Sequence, residues 1–138
     1  MRILGIDYGD SRVGVAVTDP LGITAQGLET ISHKGNDKIV LKRLDEILDK
    51  YPCEVIVVGM PFNMDGTKTI RAEVTEKFIH KLKCKYNKIR IETMDERLTT
   101  VAAHKTMNFL DVNKNKKREI VDTISAVYIL EMYMNKNK

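Results

Sequence analysis

Three carboxylates stand where an acid needs a compensating partner. Asp7 closes the apolar run Ile3, Leu4 and Ile6, and is followed at once by Gly9, Arg12 and Gly14 in the fragment LGIDYGDSRVGVAVTD. Glu96 lies just beyond a second strand-like run, and Asp122 sits among Ile120, Val121, Ile124 and Val127. A carboxylate at the end of a buried strand is costly to desolvate unless a metal ion or a basic group compensates it. Carboxylates crowded together repel unless they share cations. Hard oxygen ligands with no histidine or thiol among them suit magnesium, with manganese as a substitute, rather than zinc. Two such ions about 3.5 to 4 Å apart would stabilise the attacking and leaving oxygens of an in-line phosphodiester displacement. Each acid has a plainer reading as well. Asp7 can cap the Gly9 turn, Glu96 can pair with Arg97, and Asp122 can favour the positive end of a helix.

Basic residues flank the same segments. Arg12, Arg71 and Arg97 each lie beside one of them, where a guanidinium either clamps a phosphate bidentately or forms a local ion pair. Lys114, Lys116, Lys117 and Arg118 form a charge run. Its plain reading is a solvated loop, and its position ahead of Asp122 suits it to track a nucleic-acid backbone without reading sequence. The loop GMPFNMDGT, from Gly59 to Thr67, is expected to fix a turn beside the acidic crevice, where backbone N–H groups and Asn63 can meet a phosphate; otherwise it is a connector. His33, His80 and His104 are isolated and receive no catalytic role, His80 and His104 reading as surface or boundary residues of helices. Cys53 and Cys84 have no CxxC spacing and no histidine pair beside them, which indicates neither zinc nor a disulfide framework.

The elements that must position these groups follow from periodicity. Residues 2–8, 12–18 and about 25–32 read as three strands of an antiparallel meander joined by glycine-containing turns. From Asn36 to Lys50, Ile39, Val40, Leu44, Ile47 and Leu48 recur at helical intervals. Val55 to Val58 is a continuous β-branched run, the mark of a central strand covered on both faces. A second helix begins near Thr69 with Val74, Phe78, Ile79 and Leu82 on one stripe. Ile89 to Met94 reads as a fifth, alternating strand, and Thr99 to about Met107 as a further helix. Asn108 to Arg118 reads as a polar, basic, mobile connector, and about Glu119 to Met134 as the last helix. A meander followed by βαβ units with right-handed crossovers makes a mixed five-stranded sheet flanked by helices. Strand one then lies in the middle, paired with strands two and four, and strand ends on one edge bring Asp7 and Glu96 to a common crevice that a packed helix completes with Asp122.

Length and composition bound these expectations. The 138 residues suit one α/β domain, 1–138, and 43% hydrophobic with 30% charged residues is the balance of a soluble globular protein. The N-terminus enters a strand directly and Asp7 interrupts any apolar leader, so the expectation is a cytoplasmic protein with no membrane association. A net charge of +4 permits a polyanionic partner without requiring one.

Four blocks resemble those of the YqgF family, also called the RuvX-type Holliday junction resolvases. They are the opening IDYGDSRVGVAVTD, the loop VVGMPFNMDGT with Arg71 downstream, DERLTT from Asp95 to Thr100, and VDTISAVYIL from Val121 to Leu130. They span nearly the whole chain in the family's order. The resemblance implies a ribonuclease H-like fold and a metal-dependent nuclease. By position, the family's acidic triad falls on Asp7, Glu96 and Asp122, and its loop positions on Gly59, Pro61, Asn63 and Gly66. It also implies trimming of the 5′ end of the 16S ribosomal RNA precursor, with four-way DNA junctions as the alternative substrate and a monomer or homodimer as the acting form. Ser125 and Ala126 stand where many members carry two alanines, a small change that keeps the helix close to the sheet. The segment Asn113 to Arg118 is lysine-rich for the family. Two other classes compete. An Asp-x-Gly hairpin also opens actin-like kinases, but those need two such lobes, and a non-catalytic ribosome-assembly module would keep the fold without turnover.

Overall fold

The computed structural model describes residues 1–63, 65–95 and 114–136, with side chains in the last segment from Asp122 onward. Strands β1 (Ile3–Tyr8), β2 (Arg12–Thr18) and β3 (Ala25–Ser32) form the meander; α1 (Asp37–Lys50), β4 (Val55–Met60), α2 (Ile70–Lys85) and β5 (Arg90–Asp95) follow, and α3 (Lys114–Lys136) closes the described chain. The strands make one five-stranded sheet in the order β3-β2-β1-β4-β5. β1 pairs with β2 antiparallel and with β4 parallel, and β5 adds parallel to β4. The C-terminal ends of β1, β4 and β5 therefore lie along one edge, as the order of elements predicts.

Alternation along each strand divides the core. Leu4, Ile6, Tyr8, Val13, Val15, Val17, Ile56 and Val58 face α1 and α2, where they meet Val40, Leu44, Ile47, Phe78 and Leu82. Ile3, Ala16, Val55 and Val57 face the other way onto Ala126, Ile129, Leu130 and Tyr133 of α3. Being covered on both faces is why β4 is apolar at every position rather than at alternate ones. Asn36 caps α1 through its side chain, which accepts from the Lys38 N–H at 3.1 Å, and Thr69 caps α2 by accepting from Ala72 N–H at 2.9 Å.

Three expectations need correction. Ile39 and Val74 are exposed rather than part of the buried stripes, at 45% and 41% exposure. The buried faces are Val40, Leu44 and Ile47 on α1, and Ala72, Thr75, Phe78, Ile79 and Leu82 on α2. Each misassigned residue is one position out of phase, about 100° around the helix from that stripe. The last helix also starts earlier than hydrophobicity suggests, at Lys114 rather than Glu119. Lysine and arginine are good helix formers, so a polar run extends a helix that apolar periodicity cannot mark. The backbone of Lys114, Lys116, Lys117 and Arg118 is thus helical, not a loop. The helix expected over Thr99 to Met107 and most of the Asn108 to Arg118 connector lie outside the described residues. Among the described residues, no helix is long and apolar enough to cross a membrane.

Candidate active site

Asp7 is the penultimate residue of β1 and is half-buried. Because Leu4, Ile6 and Tyr8 point towards α1 and α2, Asp7 points to the α3 face. Its register partner on β2 is Gly14. That glycine lets α3 come down onto the sheet, since a Cβ built there would lie inside the Asp122 carbonyl group and 3.1 Å from the Asp122 Cβ. Asp122 thus sits over the residue that pairs with Asp7. Two features extend the close approach. A Cβ on Gly5 would fall 2.5 Å from Leu130 Cγ, and Thr123 Oγ1 meets Thr30 Oγ1 at 3.1 Å. Ser125 and Ala126 of the same helix are fully buried, as expected of small residues where a helix lies against a sheet.

Two arginines join the carboxylates. Arg12 opens β2 on the same side, and its Nε lies 3.1 Å from the buried Oδ2 of Asp122, with the side chains 30% and 21% exposed. Arg12 therefore takes the ion-pair alternative in this structure. Arg71, exposed in the first turn of α2, brings Nη2 to 3.5 Å from the Tyr8 carbonyl oxygen, at the end of β1. The structure thus gathers Asp7, Arg12, Asp122 and Arg71 around one strand end.

The loop after β4 folds on itself. Phe62 bridges Lys68, Asn63 N–H donates to the Thr67 carbonyl at 2.9 Å, and Gly66 N–H donates to the Asn63 carbonyl at 2.8 Å with Gly66 at φ +89. The Asn63 side-chain amide donates to Thr67 Oγ1 at 2.9 Å. Thr69 Oγ1 reaches back to the Pro61 carbonyl at 2.6 Å and ties the loop to the start of α2. Asn63 is exposed and its amide is committed to the turn. Glu96 and Arg97 lie outside the described residues, directly after Asp95 at the C-terminal end of β5, and the side chains of Lys114, Lys116, Lys117 and Arg118 lie outside them too.

His33, which reads as isolated in the sequence, holds two turns together in the structure. The ring is 1% exposed. Its Nδ1 accepts from Gly35 N–H at 3.0 Å, so Nε2 carries the proton and donates to the Gly9 carbonyl at 2.9 Å. His33 therefore ties the β1–β2 turn, which follows Asp7, to the turn before α1. Its only signal in the sequence is the nearby Gly35, and its hydrogen-bond partners are backbone atoms, which carry no residue-type signature. Tyr8 stacks between His33 and Phe78 and donates its hydroxyl to Asp37, which also binds Lys81 at 2.8 Å. Burial first, and then the Asp37 carboxylate, hold the Tyr8 phenol well above its ordinary range.

Among the described residues no group of three or more potential metal ligands gathers. Asp7 and Asp122 supply hard oxygen donors on one face, the chemistry that magnesium or manganese requires. His33 is committed to backbone partners, and the free thiols of Cys53 and Cys84 lie on the chain far from both acids.

A mixed sheet of this order with helices on both faces defines the ribonuclease H-like fold. RuvC from T. thermophilus, solved in complex with a Holliday junction substrate, matches with a TM-score of 0.60, covering 100% of this chain and 97% of its own at 15% identity. The fowlpox virus resolvase, solved with Holliday junction DNA, matches with a TM-score of 0.62 over 99% of each chain at 11% identity. At those identities the likeness speaks for the fold alone. The chain itself belongs to the RuvX family, described as Holliday junction resolvase, whose model matches residues 1–136. A protein of Ruminiclostridium cellulolyticum named "Putative pre-16S rRNA nuclease" is 54% identical over 136 residues, covering 99% of this chain and 95% of its own length. Membership of a nuclease and resolvase family implies a hydrolase that acts on nucleic acid.

Proposed function

We propose that this chain is a magnesium-dependent nuclease that processes the 5′ end of pre-16S ribosomal RNA in the cytoplasm, acting as one domain over residues 1–138. The observation that carries the reading is the placement of Asp122 of α3 directly over Gly14, the register partner of Asp7, with Arg12 beside Asp122 and Arg71 at the end of β1. Asp7 and Asp122 would hold magnesium, or manganese in its place, with Glu96 as the third ligand. Such ions, when bound, neutralise phosphate charge and lower the pKa of water at the scissile bond. The chain's own contribution is rigid placement. β1, paired with β2 and β4, holds Asp7 opposite Gly14, α3 holds Asp122 against Gly14, and the exposed Arg71 guanidinium is available to a phosphate oxygen. Arg97 and the basic start of α3 add backbone contacts, and Asn63 holds a loop whose amides border the same edge.

The ribosomal RNA substrate is supported by the name of the 54% identical relative. A second reading, cleavage of four-way DNA junctions, is supported by the family's description and by the junctions bound to the two resolvases of the same fold. The two readings differ in assembly, because a junction offers paired strands to a homodimer whereas one RNA end needs a monomer only. The test compares wild type with Asp7→Asn on pre-16S RNA and on a four-way junction across a magnesium titration. The expected result is magnesium-dependent cleavage at the RNA 5′ end, reduced by orders of magnitude in Asp7→Asn while the fold persists. Glu96→Gln and Asp122→Asn should behave alike, and combining them should add little, since residues acting as a unit are non-additive. Undiminished magnesium-dependent cleavage by Asp7→Asn would overturn the site, and cleavage confined to the junction would select the second reading.

A further inference from the structure

We infer that Arg12 is a placeholder cation, compensating Asp122 while the site holds no metal and yielding that carboxylate when a divalent ion enters. The inference rests on the reading of Asp122 as a metal ligand. Three observations lead to it. The buried Oδ2 of Asp122 has Arg12 Nε at 3.1 Å, so the acid that would hold a metal is paired with a fixed positive charge. Both backbones are pinned. Asp122 is lodged against Gly14, and the Arg12 carbonyl accepts from Gly9 N–H at 2.8 Å while its residue registers with Ser32 on β3. A change of partner is therefore open to the side chains alone and requires no movement of the sheet. Finally, Arg12 lies on the same face as Asp7, so a divalent ion held by Asp7 and Asp122 and the guanidinium compete for one carboxylate.

Leaving Asp122 uncompensated in a partly buried position would cost stability, which explains why a charge that opposes metal loading is tolerated there. Once displaced, the guanidinium is free for a phosphate oxygen of the substrate. Arg12 is thus a positioning residue that links metal loading to substrate capture. A permanent orienting partner would behave in the opposite sense, because its removal would loosen the carboxylate and weaken metal binding.

Calorimetric titration of magnesium into nucleic-acid-free protein separates these outcomes. Arg12→Gln should bind magnesium about tenfold more tightly than wild type, and Arg12→Lys, which keeps the charge, should stay close to wild type. Asp122→Asn should bind magnesium more weakly. Unchanged or weaker magnesium binding in Arg12→Gln overturns the placeholder role. Unchanged binding in Asp122→Asn instead removes the metal-site reading beneath it, so the two failures are distinguishable. A second measurement needs no destabilising variant. In wild-type protein the Arg12 Nε–H resonance, assigned by its loss in Arg12→Lys, should shift and exchange faster with solvent as magnesium saturates, and a resonance that does not move overturns the exchange.

Discussion

Gly14→Ala is the sharpest perturbation of the site that touches no charge. The added methyl would lie well within 3.0 Å of the Asp122 carbonyl, which is helix backbone and cannot rotate away. Restoring ordinary contact from 2.0 Å requires α3 to lift from β2 by roughly 1.4 Å, because close-packed interiors have no void to receive the atom. Overpacking of this kind typically costs about 1 to 3 kcal/mol. The kinetic effect should be larger than the stability effect, because Asp122 rides on the displaced helix and a misplacement of about 1 Å can cost about 100-fold in rate. Gly35→Ala is the matched control. Gly35 has φ +82 and nothing within 4 Å of a Cβ built there, so alanine adds only left-handed strain of about 1 to 2 kcal/mol and leaves α3 in place. Urea unfolding gives the two stability losses, and single-turnover cleavage at saturating magnesium gives the rates. Comparable destabilisation with a rate loss confined to Gly14→Ala is the expected pair. Equal rates in the two variants would refute the idea that Gly14 sets the position of Asp122.

Three further outcomes follow from the same geometry. Replacing Lys114, Lys116, Lys117 and Arg118 together by glutamine should weaken binding to all sequences equally and flatten the salt dependence of affinity, since fewer counterions are released; an unchanged salt slope in binding isotherms would reduce the helical run to a solvated surface. Asn63→Ala removes the donor to Thr67 Oγ1 and should cost about 1 kcal/mol of stability while lowering substrate affinity, and normal binding and cleavage would make the loop a connector only. Burial pushes the Cys53 thiol up to about 11, so its reactive thiolate is scarce at pH 8 and grows only as the pH approaches that value. Iodoacetamide at pH 8, read by peptide mass spectrometry, should therefore modify the exposed Cys84 at least about ten times faster, and equal rates would contradict the packing around Cys53.

Local chemistry made much of this legible from the sequence. The continuous run of β4, the three meander strands and the starts of α1 and α2 are properties of neighbouring residues, and the structure has them at or within a residue of the expected places. Asp7 is conspicuous for the same reason, being an acid at the end of an apolar strand. Phase is harder to read. Ile39 and Val74 are apolar enough for a core, and only the orientation of the helices against the sheet turns them outward, because a helix has several possible stripes and packing selects one. The lysines at the start of α3 carry no apolar periodicity, so hydrophobic pattern alone could not mark the helix there. Tertiary structure alone decides the partners of the site. Arg12 could have faced solvent and His33 could have been a surface residue, yet one meets Asp122 and the other joins two turns, through contacts between segments far apart in the chain or with backbone atoms that have no sequence signature. The sequence by itself determined which residue types were available and which strands and helices could carry them. The sheet order and the closeness of α3 over Gly14 decided which of them meet, because proximity across the sheet depends on register and packing, not on spacing along the chain.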